Sequence, residues 1–180
     1  GVGTQNRYMF EGLVKTGRYK IISLGGAIKH QDYRPIQFNE YKDDWIIIPV
    51  DGYGSQDMIR SMLRTHKPDI LLFTTDPRFF IWLWQIENEV RSLVPMVYYH
   101  VWDNYPYPKY NKVLYDSTDV IVTISKVTSD IVRTVSPGTQ EIYLPHAVDT
   151  NIFKRYPDEV INQFKIDNFS ENSRNYLKNR

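Results

Sequence analysis

The chain has 180 residues, room for one domain with a sizeable core and little for two. Its 22 Lys and Arg offset 21 Asp and Glu for a formal net charge of +1, and no basic stripe points to nucleic acid. No apolar run approaches the roughly 18 residues of a membrane span, the first residues do not read as a secretory signal, and zero Cys excludes disulfides, thiolate metal sites and a thiol nucleophile, which suits a reducing, cytoplasmic setting.

The opening "GVGTQNRYMFEGLVKTG" places glycines ahead of a helix starting near Thr4, with Met9, Phe10, Leu13 and Val14 on its buried face and Gly17 as its stop. "RYKIISLGG" is a short strand, and residues 27–44 are a long polar loop. "WIIIPV" does not alternate, so it is a strand covered on both faces. "DGYG" is a turn, after which Ser55 caps a helix burying Met58, Ile59, Met62 and Leu63. "DILLFTT" is the next strand, and "DPRFFIWLWQIENEVRSL" a helix with Pro77 in its first turn. Strands at "PMVYYHVW", "DVIVTIS" and "TQEIYLP" alternate with helices at "PKYNKVLYDST" and "SKVTSDIVRTVS". Short connections and non-alternating apolar strands predict an α/β fold, a parallel sheet with helices on both faces. Beyond Lys154 the chain turns polar and Asn-rich, with one amphipathic turn at Val160, Ile161 and Phe164, so the domain spans 1–153 and residues 154–180 are a linker or the start of a further domain. A glycine loop that feeds the first helix of such a sheet normally follows a strand, so a first strand is expected upstream of Gly1; a frayed terminus is the plainer alternative.

Ligands of an open parallel sheet sit beyond the carboxyl ends of its strands. The strand ends carry Gly1, Gly3, Thr4 and Gln5 before the first helix, then Gly25 and Gly26, Asp51 and Gly52, Thr74, Thr75 and Asp76, His100, Trp102 and Asp103, Ser125 and Lys126, and last His146 and Asp149, nearly every strand ending in a residue able to hydrogen-bond or titrate. The "GVGT" stretch offers backbone N–H groups to an anion or is a plain turn; it lacks both the dinucleotide and the P-loop spacing. His100 is a general base or sugar-hydroxyl partner, or else a buried hydrogen-bonded imidazole. Asp76 before Pro77 is a helix cap or an acid. Trp102, Tyr105 and Tyr107 stack on a sugar or pack the loop. Ser125 reads as a cap, no G-x-S-x-G elbow surrounds any serine, and no zinc spacing joins His100 to Asp103.

"LPHAVDTNIF" resembles the "IPNGVDTxxF" segment that closes the N-terminal domain of family-4 glycosyltransferases of the GT-B fold, with His146 for the usual Asn and Ala147 for Gly. "GVGTQNRYMFEGLVKTG" is similar to that family's glycine loop and first helix, with Arg18 in place of His. "YYHVWDNYPYP" and "DVIVTISKVTSDIV" match two further stretches in order and spacing, so the resemblance covers residues 1 to about 153. It implies the Rossmann-like acceptor-side half of a two-domain, metal-independent, retaining hexosyltransferase, with a nucleotide sugar as donor and a hydroxyl acceptor on a glycan, lipid or other molecule. No further cofactor is implied. In that family the glycine loop lies against the donor phosphates and sugar, a role for Gly1, Gly3 and Thr4, and the histidine after the strand contacts the transferred sugar, a role for His100. Gln5, Asp76, Trp102, Asp103, Ser125 and Lys126 would line the cleft, whose other side is the enzyme's own C-terminal domain. The resemblance leaves peripheral membrane contact open and implies that these residues alone are inactive. The competing readings are half of a nucleotide-sugar epimerase and a non-catalytic binding domain of the same fold.

Overall fold

A computed structural model describes residues 1–26, 29–171 and 173. They divide into two compact units, Gly1–His146 and Ala147–Arg180.

The first unit holds two sheets. One has the order β1 (Ile21–Gly25), β3 (Trp45–Pro49), β2 (Ile36–Gln37), with β1 and β3 parallel and β2 antiparallel. The other is wholly parallel, in the order β4 (Leu71–Thr75), β5 (Met96–His100), β6 (Val120–Thr123), β7 (Glu141–Tyr143). Helices flank it, and α2 (Gln56–His66), α5 (Lys112–Asp116) and α6 (Lys126–Val135) each bury apolar residues with it in one core cluster. Successive residues of a strand face opposite sides. Tyr98, Tyr99 and His100 are all buried, so both faces of β5 are covered. The chain is therefore α/β as expected, Rossmann-like in general terms, but its strands form two sheets rather than one.

Several element boundaries differ from the sequence expectation. Helix α1 covers Val2–Lys15 and begins two residues before Thr4; Gly1 stands at the cap position, where its carbonyl accepts from the Gln5 N–H at 3.2 Å. Thr4 is therefore inside the helix and caps nothing. Gly17, at φ +69°, stops the chain as expected, in a conformation that suits glycine. The stretch expected to be loop before Trp45 contains β2 and a 3-10 helix at Asn39–Asp44, and Phe38 and Tyr41 flank the buried Trp45 ring. The single helix expected after Asp76 is three pieces, a 3-10 turn at Pro77–Phe80, α3 (Ile81–Trp84) and α4 (Glu87–Arg91). Phe80 and Ile86 leave helical geometry at the breaks, with φ near −120°. Ser55 and Ser125 do cap α2 and α6, accepting from the N–H of Met58 and Thr128.

The second unit contains α7 (Asp158–Asn168), longer than the single amphipathic turn expected at Val160, Ile161 and Phe164. Before it, a turn closes on the Asp149 carbonyl, which accepts from the N–H groups of Ile152 and Phe153.

Candidate functional site

The carboxyl ends of β4, β5 and β6 open into a pocket of about 250 Å³ lined by Thr75, Asp76, Val101, Trp102, Asp103, Asn104 and Ile124. Three adjacent parallel strands thus contribute their exits to one concavity, the place where such sheets bind ligands. Helix α1 starts at this end as well, because Asn6 on its second turn accepts from the Thr74 hydroxyl at 3.1 Å. Gly1, Gly3, Thr4 and Gln5 therefore lie toward the same end of the sheet as Asp76. A Cβ added at Gly1 or Gly3 would meet nothing within 4 Å, so open space surrounds this backbone.

Beneath the pocket runs a chain of buried polar side chains. Asn111 Nδ2 donates to the Tyr115 hydroxyl at 3.3 Å, and that hydroxyl lies 2.6 Å from His100 Nε2. On the other side of the ring, His100 Nδ1 is 2.9 Å from the Tyr98 hydroxyl, which donates to the Thr75 carbonyl at 2.5 Å. The direction of every proton follows from the last link. A carbonyl only accepts, so Tyr98 spends its one proton on Thr75 and must receive from Nδ1–H. The neutral ring then has a bare Nε2, which receives from Tyr115, which in turn receives from Asn111. Burial lowers the imidazole pKa from 6.5 to about 3, opposed only by the carboxylate of Asp76, so the ring is neutral at physiological pH. Burial also pushes the Tyr98 hydroxyl well up and that of Tyr115 up to about 12, so both keep their protons.

His100 is thus fully buried, with both ring nitrogens engaged by side chains, and presents neither to the pocket. It comes closest to the alternative of a buried, hydrogen-bonded imidazole, except that its partners are tyrosines rather than backbone. What it reaches is Thr75. That residue has φ +101°, a conformation β-branched residues avoid at a cost of about 1–3 kcal/mol. The Tyr98 hydrogen bond holds the Thr75 carbonyl inward, and the turn releases Asp76 to the rim.

Asp76 is a cap. Its carboxylate accepts from the Arg78 N–H at 2.8 Å and from the guanidinium through Nε at 2.9 Å and Nη2 at 2.6 Å. Burial raises its pKa, but the Arg78 hydrogen bonds outweigh this and hold it below the usual carboxylate range. An ionised, paired carboxylate is a poor general acid. The same guanidinium sits 5.9 Å from the centroid of the Trp102 ring. Trp102 is 7% exposed, and its Nε1–H has no hydrogen-bond partner among the described residues. Its carbonyl accepts from the Thr128 hydroxyl at 2.8 Å, and Thr128 in turn meets the Ser125 hydroxyl at 2.9 Å. The cap of α6 thereby fixes the loop after β5. Asp103, Asn104 and Lys126 are exposed.

The structure gathers Asp76, Trp102 and Asp103 into one lining and places Ser125 behind it through Thr128. His100 is in the floor and α1 opens at the same end. Sequence inspection placed Thr75 at a strand end without a role and missed Tyr98, Tyr115 and Arg78. Only Arg78, two residues beyond a strand-end aspartate, carried a local signal; the tyrosines meet His100 through tertiary packing alone. Among the described residues no cluster of His, Asp and Glu could hold a metal ion, and no helix is long and apolar enough to cross a membrane.

No family model, curated protein or solved structure matches this chain. Fold and site together define an α/β domain with a four-stranded parallel sheet flanked by helices and a small polar-aromatic pocket at its strand exits.

Proposed function

We propose that the chain is the acceptor-side domain of a glycosyltransferase that moves a sugar from a nucleotide-sugar donor to a hydroxyl acceptor. The observation that carries this reading is the pocket at the exits of β4, β5 and β6, where an indole stands beside two carboxylates and an amide. A sugar ring offers apolar C–H faces and a rim of hydroxyls that both donate and accept. Asp103 and Asn104, both exposed, suit the rim, and Trp102, 7% exposed, forms the apolar wall behind them. About 250 Å³ is room for a single ring rather than a larger ligand. The ordered resemblance of four segments, from the glycine stretch to "LPHAVDTNIF", points the same way.

In this reading the bond from the donor sugar to its diphosphate breaks as the acceptor oxygen bonds the same carbon, and the leaving charge and the acceptor's proton end on the diphosphate. The N–H groups of Gly1, Gly3 and Thr4 at the head of α1 are assigned to meet that charge. Catalysis comes from positioning and electrostatics, and no metal or added cofactor is assigned a role. His100 acts through Tyr98 and Thr75 as a positioning residue. A glycoside hydrolase is disfavoured at this aspartate, since Asp76 is held ionised by Arg78 and is a poor proton donor.

Saturation-transfer NMR tests the reading, with the 180-residue chain against mono- and disaccharides and nucleotide sugars. The reading expects saccharide signals that fall when Trp102 is replaced by Ala or Asp103 by Ala. Absence of transfer to every saccharide and every nucleotide sugar would sink it.

A further inference from the structure

We propose that Trp102 sets the specificity of the strand-exit pocket by giving its indole N–H to an oxygen of the ligand, and that the group it meets is the uncharged, hydroxyl-bearing face of a saccharide. The proposal rests on the saccharide reading of this pocket and adds the contact that selects among saccharides.

The chain has four tryptophans, and three of them satisfy their N–H groups inside the fold. Trp45 donates to the Ser23 hydroxyl at 3.0 Å, Trp82 to the Phe79 carbonyl at 3.1 Å and Trp84 to the Thr118 hydroxyl at 3.1 Å. Trp102 does not. Among the described residues its Nε1 is the one buried side-chain nitrogen or oxygen without a hydrogen-bond partner. It is also the one tryptophan that lines the pocket. An unpaired buried donor is destabilising, and native folds pair nearly all of theirs.

The groups around the indole cannot take its proton. Tyr98, His100 and Trp102 form a column of rings, with successive centroids 4.8 and 6.3 Å apart. Both nitrogens of His100 are engaged by tyrosines. Asp76, in the same lining, accepts two bonds at each carboxylate oxygen, all from Arg78. The Arg78 guanidinium, 5.9 Å from the centroid of the indole, only donates. The Tyr110 ring meets the indole edge-on at 6.3 Å, and the Thr128 hydroxyl holds the Trp102 carbonyl at 2.8 Å. The donor is fixed in place with no acceptor of its own.

The N–H lies under the lining, so a ligand oxygen reaches it only where the chain beside it yields. That chain is untied. Residues 103–106 make no hydrogen bond among the described residues; the next anchor is the Tyr107 carbonyl, which accepts from the Lys109 N–H at 2.9 Å. Displacing this stretch breaks no hydrogen bond.

The lining also defines the charge of the ligand group, since it holds two carboxylates, Asp76 and Asp103, and no cation. Arg78 neutralises Asp76, and no ion pair among the described residues neutralises Asp103. A ligand carboxylate or phosphate would face that charge uncompensated. A saccharide hydroxyl donates to Asp103, and another of its oxygens accepts from Trp102. One saccharide oxygen is thus read directly, and removing it leaves the indole N–H unpaired in the complex.

The test titrates the ¹⁵N-labelled chain with methyl α-glucoside, methyl α-mannoside and methyl α-galactoside, then with the monodeoxy analogues of the tightest binder, and with methyl α-glucuronide. The parent saccharide is expected to move the Trp102 indole proton downfield. One monodeoxy analogue is expected to bind about tenfold more weakly and to leave out the downfield shift. Trp102→Phe is expected to bind parent and analogue within about twofold of each other, and methyl α-glucuronide to bind the wild type more weakly than methyl α-glucoside. Should Trp102→Phe not fold, the wild-type indole shift decides alone. Equal affinity for the parent and every analogue, an indole shift that is upfield or the same with all of them, discrimination that survives in Trp102→Phe, or tighter binding of the glucuronide overturns this inference and leaves the saccharide reading standing. Absence of binding by every saccharide overturns both.

Discussion

Acidification tests the His100 network most sharply. The imidazole titrates near 6.5 in the unfolded chain and near 3 in the folded one. Its folded pKa is depressed, so the unfolded state binds a proton that the folded state refuses. The stability tied to the neutral ring is whole above pH 6.5 and is lost progressively as pH falls toward 3. At pH 4.5, two units below the unfolded value, the loss is on the order of 2–3 kcal/mol at about 1.4 kcal/mol per unit. That is a large part of the stability of a small domain. Urea unfolding of the wild-type chain and of His100→Gln at pH 7 and pH 4.5 isolates the effect, since the other titrating groups are common to both. Gln costs stability at pH 7 by disturbing the tyrosine bonds, but it carries no titrating proton. The wild type is expected to lose on the order of 2–3 kcal/mol more than the variant between the two pH values. Equal losses would mean that His100 is accessible to protons when folded, and the assigned tautomer and its sequestration would both fall.

Tyr98→Phe leaves the Thr75 carbonyl and the His100 Nδ1–H without partners in the interior, and an urea midpoint should report a loss of about 2–5 kcal/mol. A loss under about 1 kcal/mol would show that the hydroxyl bridges nothing of consequence. Thr75→Gly relieves the positive φ, so stability should hold or rise by up to about 1 kcal/mol while saccharide affinity falls. Parallel loss of stability and affinity would return the Thr75 geometry to an ordinary structural role.

The strand–helix alternation was plain in the sequence because parallel strands covered on both faces are continuous apolar runs, as in "WIIIPV" and "MVYYH". Caps were legible where one hydroxyl or carboxylate decides them, at Ser55, Ser125 and Asp76. The break between β1 and β4 was not, since periodicity reports the environment of a strand and not its neighbour. Nor was the fragmentation after Asp76; apolar spacing from Phe79 to Val90 suits a single helix, and only the burial of Leu83, Trp84 and Val90 around broken turns shows otherwise. The strand-end rule found the lining at Asp76, Trp102 and Asp103 because pleat geometry sends those residues to one edge. It left His100 open between an active and a buried imidazole, because the ring's partners lie 2 and 15 residues away in Tyr98 and Tyr115, and nothing local marks either as a clamp.

The central claim is that the exits of β4, β5 and β6 form a sugar site. Its most direct measurement is a two-dimensional ¹H–¹⁵N titration of the labelled chain with saccharides, following the Trp102 indole signal and the Asp103 and Asn104 amides. The account predicts saturable shifts at these three, with Ile36 and Gln37 on β2 unmoved. Shifts centred on β2, or none at the indole at saturating saccharide, would contradict it.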